Sequence, residues 1–479
     1  MTASELPDLG VFEVRLYERQ VRLRLPFRFG VVTVTEAPQV FSRVLVRTGE
    51  GREAWGKSAE LLIPKWFDKS PALSNAENFD QLRASARNAA RLYADAPGRH
   101  TAWGLFAACH GEQVARCAAE GLNGLVAGFG TALLDRAVLD ALCRIAGVSV
   151  FGAIRANLPG LDPVALAPEL EGFDMARFLA RLRPPAAIAI RHTIGMADPL
   201  SEDDRTPETD IDDGLPVTLE EAIAAYGNSY FKITVARDID AAARRLGLIA
   251  QVLDRLPEPY AVTIDGGEQF AGIEGVGELW QALTASPGLA RLRRSIAFIE
   301  QPIDRAVTFE TDIAAVGADC PFIIDEADGD FGAFARARAL GYRGVSFKGC
   351  KGVYKGLINA ARCALWNAEA GDERYFMTAE DLTTQPGVCV QQDLAIAGLI
   401  GVGHVQRNGH HYVNGMSGVP EGEAAAFLRG HPDLYHRADG VVRLTIRDGK
   451  VALGSLDCPG FAVAAEPDWE AMRAMPGTA

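Results

Sequence analysis

The sequence predicts an α/β protein, a modified (β/α)8 barrel with an α+β capping domain. Three observations predict it. Strand patterns come first and helix patterns after them over residues 1–155, the order of an α+β unit. From Tyr230 to Gly352, five short apolar runs each end in a polar or charged residue: Lys232-Ile-Thr234, Asp265, Glu300, Asp325-Glu326 and Lys348. The intervals between these ends run from 23 to 35 residues, the length of one strand, one helix and two loops. Consecutive parallel strands of this kind carry their chemistry at their C-terminal ends.

The elements follow in order. Phe12, Val14 and Leu16 alternate with charged residues, Val21, Leu23 and Leu25 do so again, and Phe41 to Val46 form a third run before the turn at Thr48-Gly49-Glu50-Gly51. Residues 76–155 read as helices, with Asn75 opening a polar-capped segment and helical apolar spacing from Ala132 to Ile145. Ala186 to Thr193 is expected as the first barrel strand, and Asp198 to Pro216 as a solvated insertion with surface carboxylates. The helix after Lys232 sets Ile239, Ala242, Leu246, Ile249 and Leu253 on one face. A seventh strand ends at Thr378-Ala-Glu380-Asp381, and the last lies near His404 to Arg407. Gly440 to Ile446 and Gly449 to Leu453 are expected to pair as a hairpin. His192, a lone histidine, is expected to be structural, and so is the pair His410-His411, since adjacent side chains on a strand or loop point apart.

Composition excludes several classes. In 479 residues, 48% are hydrophobic and 23% charged, as in a globular protein with a sizeable core. A net charge of −14 argues against nucleic-acid and anionic-membrane partners. The first residues show no basic or apolar leader pattern, and no apolar segment is long enough to span a bilayer. Eight cysteines are scattered without a CxxC, the usage of reduced cytoplasmic thiols. Cys350, beside a strand end, is expected to be a small apolar residue, with reactivity as the alternative.

The order Lys, Asp, Glu, Asp, Lys along the strand ends carries the chemistry. Three carboxylates converging on one mouth repel one another unless a cation sits among them, and oxygen ligands suit a hard ion such as Mg²⁺. A lysine close to that ion has its ammonium form disfavoured and can take up a proton near neutral pH.

Ile-Glu300-Gln-Pro, Asp325-Glu326 and Phe-Lys348-Gly-Cys-Lys351-Gly resemble, in order and interval, the enolase superfamily and its muconate-lactonizing branch. The resemblance covers residues 11 to 465. It implies that Mg²⁺ binds a substrate carboxylate while a base removes the α-proton. By position it makes Asp265, Glu300 and Asp325 metal ligands, Lys348 the base, and Lys232 the first lysine of the second-strand Lys-x-Lys. Arg28, Thr234 and Asp381 are expected to meet a small carboxylate substrate. The segment Pro26 to Glu36 matches a loop that closes over the mouth, and Ala54 to Glu60 a small-domain signature, with Lys57 where Glu is usual. The long helix through Leu133 to Ala141 resembles the one that joins cap to barrel. Asp457-Cys-Pro459-Gly460 resembles a closing segment. The expected division is therefore a cap over 1–155, a barrel over 156–425 and a returning segment over 426–479, in a cytoplasmic homo-oligomer.

Thr234 departs from the pattern, because it stands where Lys-x-Lys has its second base. A hydroxyl cannot take up a proton near pH 7. The pleat is expected to keep Lys232 from turning into the mouth, which leaves one-base chemistry with Lys348. Lys348 on the sixth strand, and Glu380-Asp381 rather than His on the seventh, favour cycloisomerase-, epimerase- or synthase-like chemistry. An acid-sugar dehydratase and a non-catalytic metal-binding barrel are the alternatives.

Overall fold

In the computed structural model, which describes residues 7–29, 32–316 and 320–478, three antiparallel strands open the chain: β1 (Leu9–Phe29), β2 (Val32–Thr48) and β3 (Glu53–Leu61). The two strand runs expected before residue 26 are one strand. It continues through Phe27 and Arg28, which pair with Val34 and Thr33, so the expected loop is a hairpin arm. Residues 30–31, within the expected loop, lie outside the described residues. The expected alternation also slips near the start. A register shift between Val11 and Glu13 turns Phe12 outward, 52% exposed, under the guanidinium of Arg47.

Three helices follow, the first and third packing on this sheet and the second on those two helices. The first, α1 (Asn75–Ala94), starts at a capping box in which the Ser74 side chain accepts from the Glu77 N–H and the Glu77 carboxylate accepts from the Ser74 N–H. Next, α2 (Ala102–Ala119) is capped by Thr101. Last comes α3 (Gly124–Ala146), capped by Asn123 and ended by Gly147 at φ 69°. Apolar on nearly every side, α3 is buried from Phe129 to Cys143 between cap and barrel. It lies so close to β3 that a Cβ on Gly56 would fall 1.9 Å from the Ala137 carbonyl oxygen, which only glycine permits.

Eight parallel strands form the barrel: β4 (Ala187–Ile194), β5 (Tyr230–Thr234), β6 (Ala261–Asp265), β7 (Ile296–Glu300), β8 (Phe322–Ile324), β9 (Gly344–Phe347), β10 (Phe376–Glu380) and β11 (His404–Arg407). Sequential strands pair, and β11 pairs with β4 to close the barrel. The helix Ile239–Leu253 buries Ala242, Leu246, Ile249 and Leu253 against it, the face that helical spacing predicts.

The C-terminal chain keeps only the turn of the expected hairpin, where Arg447 and Lys450 exchange backbone hydrogen bonds at 2.9 Å across Asp448-Gly449. β12 (Tyr435–Ala438) pairs with β13 (Val441–Leu444), whereas β14 (Lys450–Ala452) lies antiparallel on β4. The turn between β12 and β13 is Asp439-Gly440, both with positive φ, a two-residue hairpin signal in the sequence. Finally β15 (Arg473–Ala474) pairs with β1 of the cap sheet. Lys57, buried in β3, meets Glu466 of this returning chain, and Arg473 meets Glu18.

The insertion after β4 is not a freely solvated loop. Asp198 accepts from the Tyr412 hydroxyl at 2.6 Å and Asp213 pairs with Arg24 at 2.6 Å, so these carboxylates pin the insertion to the barrel and the arm.

Candidate active site

The strand ends of the barrel gather charged residues around one cavity of about 390 Å³, roofed by Phe27 and Arg28 of the arm and by Ile63, Lys65 and Trp66 after β3. Barrel register sets the layers. Thr234 lies beside Asp265, and Asp265 beside Glu300, while Asp325 and Lys348 immediately follow β8 and β9.

Lys232 lines this cavity together with Thr234, contrary to the expectation that the pleat turns it away. Residues two apart on a strand share a face, so both point inward and Lys232 lies one layer deeper. Its Nζ stands 3.1 Å from Asp265 Oδ2, donates to Glu300 Oε1 at 3.1 Å, and contacts both oxygens of Glu380 at 2.9 Å. Lys348 Nζ donates to Asp325 Oδ2 at 2.7 Å and Glu380 Oε2 at 2.5 Å, and the Trp66 ring lies 5.1 Å away. Lys351 holds the other Asp325 oxygen at 3.1 Å and reaches Asp328 at 3.3 Å.

Glu380 is the residue that sequence reasoning missed. It accepts from both lysines and, through Oε1, from Arg191 of β4 at 2.9 Å. Asp381, its neighbour, also lines the cavity, but its carboxylate pairs with Arg407 at 3.0 Å and accepts from the Asn408 N–H at 2.8 Å. Strand parity separates the two, and the sequence shows that parity only once the strand end is known. Thr378, two residues before Glu380, also accepts from Arg191, at 2.7 Å, which marks the inward face.

Charge state follows from this packing. Burial alone would neutralise Lys232, yet Asp265, Glu300 and Glu380 keep it charged well above the ordinary lysine range. Lys348 is likewise raised, because Asp325 and Glu380 outweigh its burial. Burial works against ionisation of Glu380 and Asp325 too, but Lys232 and Lys348 hold Glu380 well below the usual range, and Lys348 and Lys351 lower Asp325. Glu300 goes the other way. Burial and the neighbouring Glu380 push it well above the usual range. Glu326 is also raised well above it, by burial and by Asp325 and Glu268. Burial drives the Cys350 thiol well above its ordinary value, which argues against a reactive thiolate there.

The oxygen donors fit a hard cation. One ligand oxygen each from Glu300, Asp325 and Glu380 lie within 4.8 Å of one another, and Glu300 Oε2 is buried with no hydrogen-bond partner. Asp265, expected as a ligand, is not in this close set, where Glu380 stands instead; Lys232 contacts both Asp265 and Glu300, and the Gly267 N–H fixes Asp265 at 2.8 Å.

The three histidines lie apart from this chemistry. His192 points out of the barrel, its Nδ1 3.1 Å from His410 Nε2, and burial pushes it down to about 4. His410 and His411 sit buried in the short helix Gly409–Tyr412, not on a strand.

No family model matches the sequence, and no curated protein matches it. Solved structures do. A putative sugar isomerase of the enolase type from Streptomyces coelicolor superposes with a TM-score of 0.60 at 14% identity, over 96% of this chain and 95% of that one. A 2-chloromuconate cycloisomerase from Rhodococcus opacus gives 0.58 at 15% identity, over 96% and 98%. The fold is that of the enolase superfamily. A dipeptide epimerase from Cytophaga hutchinsonii, solved with Mg and the dipeptide D-Ala-L-Val, gives 0.57 at 12% identity, over 97% and 99%. Against that enolase-type frame, the lysines, carboxylates and cavity of this chain stand at the barrel's C-terminal mouth. No helix among the described residues is long and apolar enough to cross a membrane.

Proposed function

We propose that this chain is a Mg²⁺-dependent enzyme of the enolase superfamily that removes the proton α to a carboxylate in a small acid, as an isomerase or lyase with Lys348 as its one base. The observation that carries the reading is the set of Lys232, Asp265, Asp325 and Lys348 around one cavity under a cap, with Glu300 buried against Lys232. Asp265, Glu300 and Asp325 would hold the ion, and the buried free oxygen of Glu300 supports this. Bound there, the ion would draw charge from the substrate carboxylate and make its α-proton more acidic.

The chain's residues divide the remaining work. Lys348 takes the proton at Nζ, which it can do only after releasing one of its own to a neighbouring group. Trp66 covers it and excludes water. Thr234 offers a hydroxyl but no base on the second strand. Lys232, held by three carboxylates, is spoken for by them and shapes the metal site. Arg28, Thr234 and Asp381 line the wall and orient the substrate. The eight free thiols support a cytoplasmic location, and a homo-oligomer is part of the same proposal.

The test is a panel of carboxylic acids incubated with the Mg²⁺-loaded protein in D₂O. Gain of one deuterium at the α-carbon, lost on chelation, is the expected result. Formation of a 2-keto acid from a sugar acid would reassign the chain as a dehydratase, and no exchange with any acid would count against catalysis.

Arg28 provides a separate prediction. It reaches over the mouth and pairs with Glu208 of the insertion at 2.6 Å, both side chains being about half exposed or more. With an active substrate, Arg28→Ala is expected to lower kcat/KM by roughly tenfold, the scale of one lost exposed charge contact. Mg²⁺ affinity should not change. Steady-state kinetics equal to wild type would remove Arg28 from the substrate wall.

A further inference from the structure

Four carboxylates, Asp265, Glu300, Asp325 and Glu380, meet four cations, Lys232, Lys348, Lys351 and Arg191. These carboxylates therefore already have protein cations against them before any metal enters. Lys232 Nζ lies at 3.1 Å from both Asp265 and Glu300, two of the three residues proposed to hold the ion. Mg²⁺ needs its oxygens at about 2.0–2.1 Å in near-octahedral geometry. An ammonium sharing those two carboxylates would stand in the ion's own ligand shell and repel it through a medium of low dielectric.

Lys232 has one other anchor. It already contacts both oxygens of Glu380 at 2.9 Å. That carboxylate is itself held from the other sides by Arg191 at 2.9 Å and Lys348 at 2.5 Å, so it cannot follow a departing ammonium. Glu300 Oε2, 1% exposed, has no hydrogen-bond partner.

We propose that Lys232 is the resident counter-cation of Asp265 and Glu300, and that Glu380 is the post to which it withdraws when a divalent ion binds. Glu380 is then a positioning residue: it tightens metal binding without touching the metal, by giving the competing ammonium somewhere else to sit. The proposal rests on the metal reading above.

Calorimetric titration of the full chain with MgCl₂ tests it, using wild type, Lys232→Gln, Glu380→Gln and the double variant. Lys232→Gln is expected to bind about tenfold more tightly than wild type, and Glu380→Gln about tenfold more weakly, the scale of coupling between contacting charges. The double variant should bind at least as tightly as wild type, because a lysine that is absent needs no post. A double variant as weak as Glu380→Gln would make Glu380 a ligand and overturn the proposal, as would Lys232→Gln binding no tighter than wild type. If either single variant fails to fold, the double variant, which removes both charges, is compared with wild type, and weaker binding by the double overturns the proposal. Wild type and Asp325→Asn serve as the reference pair. If neither binds Mg²⁺ in the millimolar range, the metal reading falls and this proposal with it. If Asp325→Asn alone loses binding and the double variant is not rescued, only this proposal falls.

Discussion

Asp325→Asn is expected to lower Mg²⁺ affinity by about a hundredfold or more, since it removes a charged ligand while keeping the side chain's size. The same substitution takes the counter-charge from Lys348 and Lys351, which lie 2.7 and 3.1 Å from its two oxygens. Stranding part of a buried ion cluster costs about 3 kcal/mol. A lowered melting temperature with unchanged far-ultraviolet circular dichroism should therefore accompany the lost affinity. The chain keeps its fold because Lys351 retains Asp328 and Lys348 retains Glu380. Titration calorimetry showing wild-type affinity in this variant would strike Asp325 from the ligand set.

Lys348→Ala is expected to reduce α-proton exchange by about a thousandfold or more, within the range that a positioned general base contributes. Metal binding should survive, since the substitution removes a cation from Asp325 and leaves that carboxylate free to bind the ion. The structure adds a condition. Asp325 and Glu380 raise the Lys348 ammonium well above its ordinary range, so the neutral amine is scarce until another cation takes up their charge. Exchange should therefore require the divalent ion at every neutral pH. Exchange that persists in Lys348→Ala, followed by loss of the α-proton signal in D₂O, would transfer the base role to Lys232.

The βα spacing was legible because parallel strands joined by helices can be only so short, and the residue that ends each apolar run then falls at the barrel mouth. Legible for the same reason were Lys232, Asp265, Asp325 and Lys348 as a group around one cavity, with Glu300 against Lys232. Glu380 was not. It is adjacent to Asp381, and a choice between neighbours on a strand depends on parity, which an uncertain strand end cannot supply. Lys232 was misplaced by a misapplied pleat argument, although its spacing of two from Thr234 already put both on one face. The C-terminal hairpin was legible only as its turn: Arg447 and Lys450 do pair across Asp448-Gly449, but β13 takes β12 as its partner through the Asp439-Gly440 turn, and β14 takes β4. Asp198 and Asp213 were read as surface charges because their partners, Tyr412 and Arg24, are about two hundred residues away, and no local pattern announces such pairs.

The central claim is one-base proton abstraction by Lys348, and the stereochemical course of exchange tests it most directly. A chiral acid that exchanges is incubated with the Mg²⁺-loaded protein in D₂O, and the recovered acid is separated on a chiral phase and weighed by mass spectrometry. With Thr234 unable to take or give the second proton, and Lys232, though it faces the cavity, held by Asp265, Glu300 and Glu380, deuterium should appear only in the starting enantiomer, with retention of configuration. Deuterium accumulating in the opposite enantiomer as fast as in the starting one would require a second base across the substrate plane and would contradict the account.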